Sequence, residues 1–120
     1  DELLKQVALR LKQTVRDEDI VARLGGDEFT VMLDDLPSAE DADLVGEKIL
    51  QAMAMPFQLD RSELVVTASI GISIFPDDGD DASTLLKNAD TAMYRAKQMG
   101  RNRFSSYNRM MSAEMPNNSR

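Results

Sequence analysis

Leu3, Leu4, Val7, Ala8, Leu11 and Val15 recur at spacings of three and four, with Lys, Gln and Arg between them, which predicts an amphipathic helix from Asp1 to about Arg16. Two apolar-rich runs follow, Ile20 to Leu24 and Phe29 to Leu33, on either side of Gly25-Gly26-Asp27-Glu28. A strand, a tight turn and a strand make a β-hairpin there. Ser38 stands three residues before Asp41 as a capping-box-like start, and Ala42, Val45, Ile49 and Met53 keep helical spacing until Pro56. From Leu64 to Phe75 the pattern becomes strict alternation. Leu64, Val66, Ala68, Ile70, Ile72 and Ile74 fall on one side, and Thr67, Ser69, Gly71 and Ser73 on the other, which predicts a strand with one core face. Pro76-Asp77-Asp78-Gly79 forms a turn, and Leu85, Leu86, Ala89, Met93 and Ala96 mark a third helix that Gly100 can end. A short strand over Arg103 to Tyr107 closes the pattern. The predicted order is α-ββ-α-β-α-β, an α+β or α/β-sandwich fold with helices on one face of a mostly antiparallel sheet.

At 120 residues the chain can bury a single core, and 42% hydrophobic with 29% charged residues is a globular balance. We expect one domain over residues 1–107 and a tail or linker over 108–120, because Met110 to Arg120 is rich in Met, Asn and Ser. No apolar run approaches the roughly 18 residues that span a bilayer, and no basic, apolar leader opens the chain, so no membrane contact by this segment is expected. With no cysteine there is no disulfide framework, which is compatible with a reducing cytoplasm. With no histidine either, a metal must sit on oxygen ligands, which favours magnesium, manganese or calcium over zinc. A net charge of −7 argues against a general nucleic-acid surface but leaves room for small phosphorylated ligands, which need only a local basic cluster or a carboxylate-held cation.

Three constellations carry candidate chemistry. Gly25-Gly26-Asp27-Glu28 at a hairpin tip lets the backbone approach a ligand and places two carboxylates beside it; taken alone, such a tetrapeptide is more often a turn with solvated acids. Lys97 and Arg101 stand four apart at the end of the last helix, where basic residues often do no more than favour the helix dipole. Arg16-Asp17-Glu18-Asp19 is, by itself, an ordinary charged loop.

Their register gives them meaning together. Arg23-x-Gly25-Gly26-Asp27-Glu28-Phe29, Ser69-Ile70-Gly71-Ile72 and Ala89-Asp90-x-Ala92-Met93-Tyr94-x-Ala96-Lys97-x-x-Gly100-Arg101-Asn102 occur in one order, and from Asp1 to about Phe104 the chain resembles the GGDEF family, the diguanylate cyclases. The resemblance implies a nucleotidyl-cyclase-like fold of palm or ferredoxin type. It implies that two GTP condense to cyclic di-GMP with release of pyrophosphate, on a homodimer in which each domain presents one GTP. Asp27 and Glu28 would hold Mg2+ or Mn2+ and serve catalysis, while Gly25, Gly26, Lys97 and Arg101 would bind substrate phosphates. Asp1 would read guanine. Arg16 and Asp19 match the family's inhibitory Arg-x-x-Asp site for the product, and Arg23 is grouped with them. The family's first strand, with a metal-binding aspartate, would precede Asp1, so the chain is expected to be a partial GGDEF domain, inactive in isolation. The alternative is a regulatory GGDEF module that binds GTP or cyclic di-GMP and controls an adjacent EAL phosphodiesterase domain, since Phe57 to Pro76 and the tail resemble tandem GGDEF-EAL proteins.

Overall fold

A computed structural model describes residues 2–37 and 39–108. Along the chain run α1 (Glu2–Thr14), β1 (Ile20–Gly25), β2 (Glu28–Asp34), α2 (Ala39–Ala54), β3 (Phe57–Leu59), β4 (Ser62–Leu64), β5 (Ser69–Phe75), α3 (Ala82–Gln98) and β6 (Arg103–Ser106). Asp1, the capping residue Ser38, and residues 109–120 of the expected tail lie outside the described residues.

The main sheet has the order β1-β2-β5-β6, and it is mixed rather than mostly antiparallel. Only β1 and β2 run antiparallel; β2 with β5 and β5 with β6 are parallel. The reason lies in the connections. A helix carries the chain from β2 back to the start of β5, and another from β5 back to the start of β6, so each new strand runs the same way as the last. The expected long strand over Leu64 to Phe75 is also split. Leu64 pairs with Phe57 in a separate β3-β4 hairpin, and only Ser69–Phe75 joins the main sheet.

Helices cover both faces of the sheet, not one. Val7 and Leu11 of α1 and Ile49 and Met53 of α2 share a core with Phe29, Val31, Leu33, Ile70, Ile72 and Ile74. On the other face α3 packs Leu85 and Ala89 against Met32. The small polar side of β5, which alternation marks as solvent-facing, is therefore buried under α3. Ser73 answers that burial by donating its hydroxyl to the Leu85 carbonyl at 2.9 Å. Gly71 answers it by having no side chain, since an added Cβ would stand 1.9 Å from the Ala89 carbonyl oxygen.

Both ends of α3 are fixed by local chemistry. Asp81 caps the start, accepting from the Thr84 amide at 2.8 Å. At the far end Gly100 takes a φ of +124°, and the Arg101 amide returns to the Ala96 carbonyl at 3.1 Å. Among the described residues no helix is long and apolar enough to cross a membrane.

Candidate active site at the hairpin tip

The pairing of Gly25 with Glu28 leaves Gly26-Asp27 as the two-residue turn of the β1-β2 hairpin, and the register shifts between Arg23 and Gly25. A Cβ added to Gly26 would meet nothing within 4 Å, so one side of the tip is open to a ligand. The turn is tied down from beneath, because the Ser69 amide donates to the Asp27 carbonyl at 2.7 Å. Phe29, the next residue after Glu28, is buried in the core and anchors the strand.

Glu28 makes an ion pair with Lys97 of α3, both side chains being mostly buried at 12% and 18% exposed. The two residues are 69 apart in sequence, so no local pattern announced the contact. It rests on two separate constructions, the hairpin that presents Glu28 and the helix whose last turn presents Lys97. Arg101 lies just beyond that helix with a φ of +63°, its side chain exposed. Asn102 accepts from the Ala68 amide at 3.4 Å and so ties the segment after α3 to the segment before β5. The structure thus brings Asp27, Glu28 and Lys97 to one end of the sheet, and Arg101 lies a short step away in sequence.

Arg23 joins the tip. Its Nε donates to the Gly26 carbonyl at 3.4 Å, and it borders a cavity of about 260 Å³ lined by Leu4, Val7, Leu11 and Phe29. Arg16 and Asp19 sit at the other end of the hairpin. Arg16 Nη2 donates to Asp19 Oδ1 at 3.1 Å and Nε to Oδ2 at 3.2 Å, a two-pronged pair, and the guanidinium also reaches the Asp34 carbonyl. Asp19 further accepts from the Asp34 and Arg16 amides, both at 3.0 Å, and is buried. Burial pushes its carboxyl upward, but the Arg16 guanidinium and those two amides together outweigh it and hold the group below its ordinary value. The same hydrogen bond to Asp19 raises Arg16. Sequence spacing places these two residues side by side but does not show that the carboxylate is already occupied by its own chain.

Among the described residues no group of three or more His, Cys, Asp or Glu side chains could hold a metal ion alone. Asp27 and Glu28 fit a different mode of binding, in which magnesium takes one or two carboxylates and completes its shell with water and substrate phosphates.

Over residues 1–103 the chain matches the family described as "Diguanylate cyclase, GGDEF domain". It is 42% identical over 111 residues to the cyclic di-GMP phosphodiesterase NbdA of Pseudomonas aeruginosa, covering 92% of this chain and 14% of that protein. It is 41% identical over 102 residues to the diguanylate cyclase TpbB of the same species, covering 84% of this chain and 23% of the relative. The chain therefore spans under a quarter of the length of these relatives. A structure of TpbB comprising only its GGDEF domain superposes with a TM-score of 0.78 at 35% identity, over 93% of this chain and 66% of that one. An EAL/GGDEF domain protein from M. capsulatus gives 0.73 at 40% identity, over 90% and 70%. With the match covering nearly all of the described residues, including the hairpin and α3, the chain belongs to the GGDEF-domain family of diguanylate cyclases.

Proposed function

We propose that this domain binds GTP at the Gly25–Glu28 hairpin and takes part in condensing two GTP to cyclic di-GMP and pyrophosphate in the cytoplasm, where that nucleotide is made and used. The observation that carries the proposal is the Glu28–Lys97 ion pair. It sets an acid suited to a cation directly against a base suited to a phosphate.

In this reading Asp27 and Glu28 hold Mg2+ or Mn2+ at the phosphates. The bound cation supplies acidity to the ribose 3′-hydroxyl and offsets phosphate charge. Lys97 and Arg101 bind the terminal phosphates, Gly25 and Gly26 let the backbone come close to them, and Asp1 recognises guanine. Two such domains face one another, each presenting one GTP, so a homodimer is the working unit. The product returns to Arg16, whose fork suits a phosphate or a guanine edge. Asp19 orients that fork.

A full-length protein carrying Asp27→Ala or Glu28→Ala should lose cyclic di-GMP synthesis in a chromatographic assay, by at least a hundredfold, while remaining folded. Undiminished synthesis in both variants would remove the hairpin from catalysis. A second reading, a regulatory module for a phosphodiesterase domain, is favoured by one observation, the 42% identity to a relative named as a phosphodiesterase. Calorimetric binding of GTP without any turnover in the full-length wild-type protein would establish that reading instead.

A further inference from the structure

Arg16 and Asp19 bracket a tight turn. The Asp19 amide donates to the Arg16 carbonyl at 3.0 Å, and the Asp19 carboxylate accepts from the Arg16 amide at 3.0 Å. Asp17 and Glu18 are held between them with exposed side chains, as polar residues at the crest of a turn are. The turn thus keeps Glu18 close to the Arg16 guanidinium.

A guanidinium has five N–H donors, and three of those on Arg16 are already committed. Nε and Nη2 face the Asp19 carboxylate at 3.2 and 3.1 Å, and Nη2 also donates to the Asp34 carbonyl. Asp19 is buried and accepts from two amides as well, so this side of the guanidinium is closed to a ligand. Two donors are left, both on Nη1. Among the described residues Nη1 makes no hydrogen bond, and the Glu18 carboxylate stands 3.7 Å from it. The contact is an ion pair without a hydrogen bond, between side chains 45% and 50% exposed.

Resting on the reading of Arg16 as the product's site, we propose that Glu18 is a built-in competitor for that site. Its carboxylate lies against Nη1, the nitrogen that a phosphate oxygen or a guanine acceptor has to reach, and it lowers the affinity for the anionic product. A ligand must move Glu18 aside and hold its own negative charge nearby, while the Arg16–Asp19 pair stays intact. Selectivity of this kind comes from a repulsive element as well as an attractive one. An exposed ion pair is weak, and that suits the role. It raises the product concentration at which the site fills without closing the site.

The test titrates cyclic di-GMP into this chain by calorimetry. Glu18→Gln should tighten binding about three- to tenfold, because it removes a carboxylate charge at ion-pair distance from the one open nitrogen. That gain should fade near 1 M salt, where the screening length is about 3 Å. Asp17→Asn removes the same charge from the same turn but leaves the Arg16–Glu18 contact in place, and it should change the affinity by less than about twofold. Equal gains from the two substitutions would overturn the proposal, since net charge alone would then account for them.

Arg16→Ala separates this proposal from the reading it rests on. Where Arg16→Ala loses the product and Glu18→Gln gains nothing, the reading stands and the competitor is refuted. Where wild type and Arg16→Ala bind the product equally, or neither the wild type nor Glu18→Gln binds it, the reading of Arg16 is refuted and the competitor with it. In the Arg16→Ala background Glu18→Gln should restore no affinity. A gain of the same size there would overturn the proposal, because Glu18 would then not act through Arg16.

Discussion

Asp19 shows how a residue chosen for ligand binding can be engaged in holding its own hairpin. Its two oxygens accept from the Arg16 side chain and from the amides of Arg16 and Asp34. Asp19→Ala would leave those donors without their acceptor, a loss of about 1–3 kcal/mol. Because its folded pKa lies below the ordinary value near ~3.9, its contribution to stability is complete above that value and is lost as pH falls through the folded pKa. Chemical denaturation of the wild type and Asp19→Asn should therefore differ near neutrality and converge on acidification below about pH 4. A gap that stayed constant to pH 2 would show that the carboxylate charge is not what Asp19 contributes. The sequence named Arg16, Asp19, Asp27, Glu28 and Lys97 because the family motif fixes their order. It could not show that Asp19 is buried or that Glu28 meets Lys97, since both facts depend on how distant segments pack.

At the scale of the elements, the three helices, the β1-β2 hairpin and the strand Ser69–Phe75 were legible from apolar spacing, but the alternation ran on back to Leu64, which belongs to the separate β3-β4 hairpin. The direction of the sheet and the covering of its second face were not legible. Alternation in β5 separates Ile70, Ile72 and Ile74 from Ser69, Gly71 and Ser73, and small polar residues look the same whether they face water or a close-packed helix. The resemblance of β5 to an exposed-face strand hides a close approach of α3 to the sheet at Gly71. Gly71→Ala puts a methyl 1.9 Å from the Ala89 carbonyl oxygen and 2.3 Å from the Met93 amide nitrogen, both backbone atoms that can yield only if α3 shifts. Overpacking of this kind costs about 1–3 kcal/mol or more. The variant should melt several degrees or more below the wild type in a calorimetric scan, and the Glu28–Lys97 contact should loosen with it, because α3 carries Lys97. Wild-type stability in Gly71→Ala would mean that β5 and α3 are not packed in this way.

On the scale of the whole molecule, the proposed reading gives the hairpin two functions, one at each end. The Arg16–Asp19 pair sits where β1 begins and β2 ends, and Gly26-Asp27 forms the tip. With strands rising about 3.3 Å per residue, one bound molecule of product could not touch both, so the proposed inhibition would be a coupling between separate sites. Arg16→Ala should abolish calorimetric binding of cyclic di-GMP and leave initial turnover of the full-length protein within twofold. Arg16 is the cleaner probe than Asp19, because it is half-exposed at 45% and its removal leaves the Asp19 bonds to the backbone in place. Undiminished product binding would return Arg16-Asp17-Glu18-Asp19 to the status of a charged loop.

The ion pair at the tip has a thermodynamic consequence of its own. On the proposed reading a cation would compete with Lys97 for Glu28, and a phosphate would compete with Glu28 for Lys97, so whichever arrived first would spare the other the work of breaking the pair. Linkage then requires that each ligand tighten the other by the same factor, over and above their affinity for one another in solution. Removing Lys97 separates the two contributions by sign. Lys97→Met should bind Mn2+ alone more tightly than the wild type, because the ammonium that competes for Glu28 is gone, and should bind GTP more weakly, because a phosphate donor is gone. Domains that keep the glutamate but lose the lysine would thus hold their metal and forfeit the cooperation, trading a site that fills in one concerted step for one that fills piecemeal.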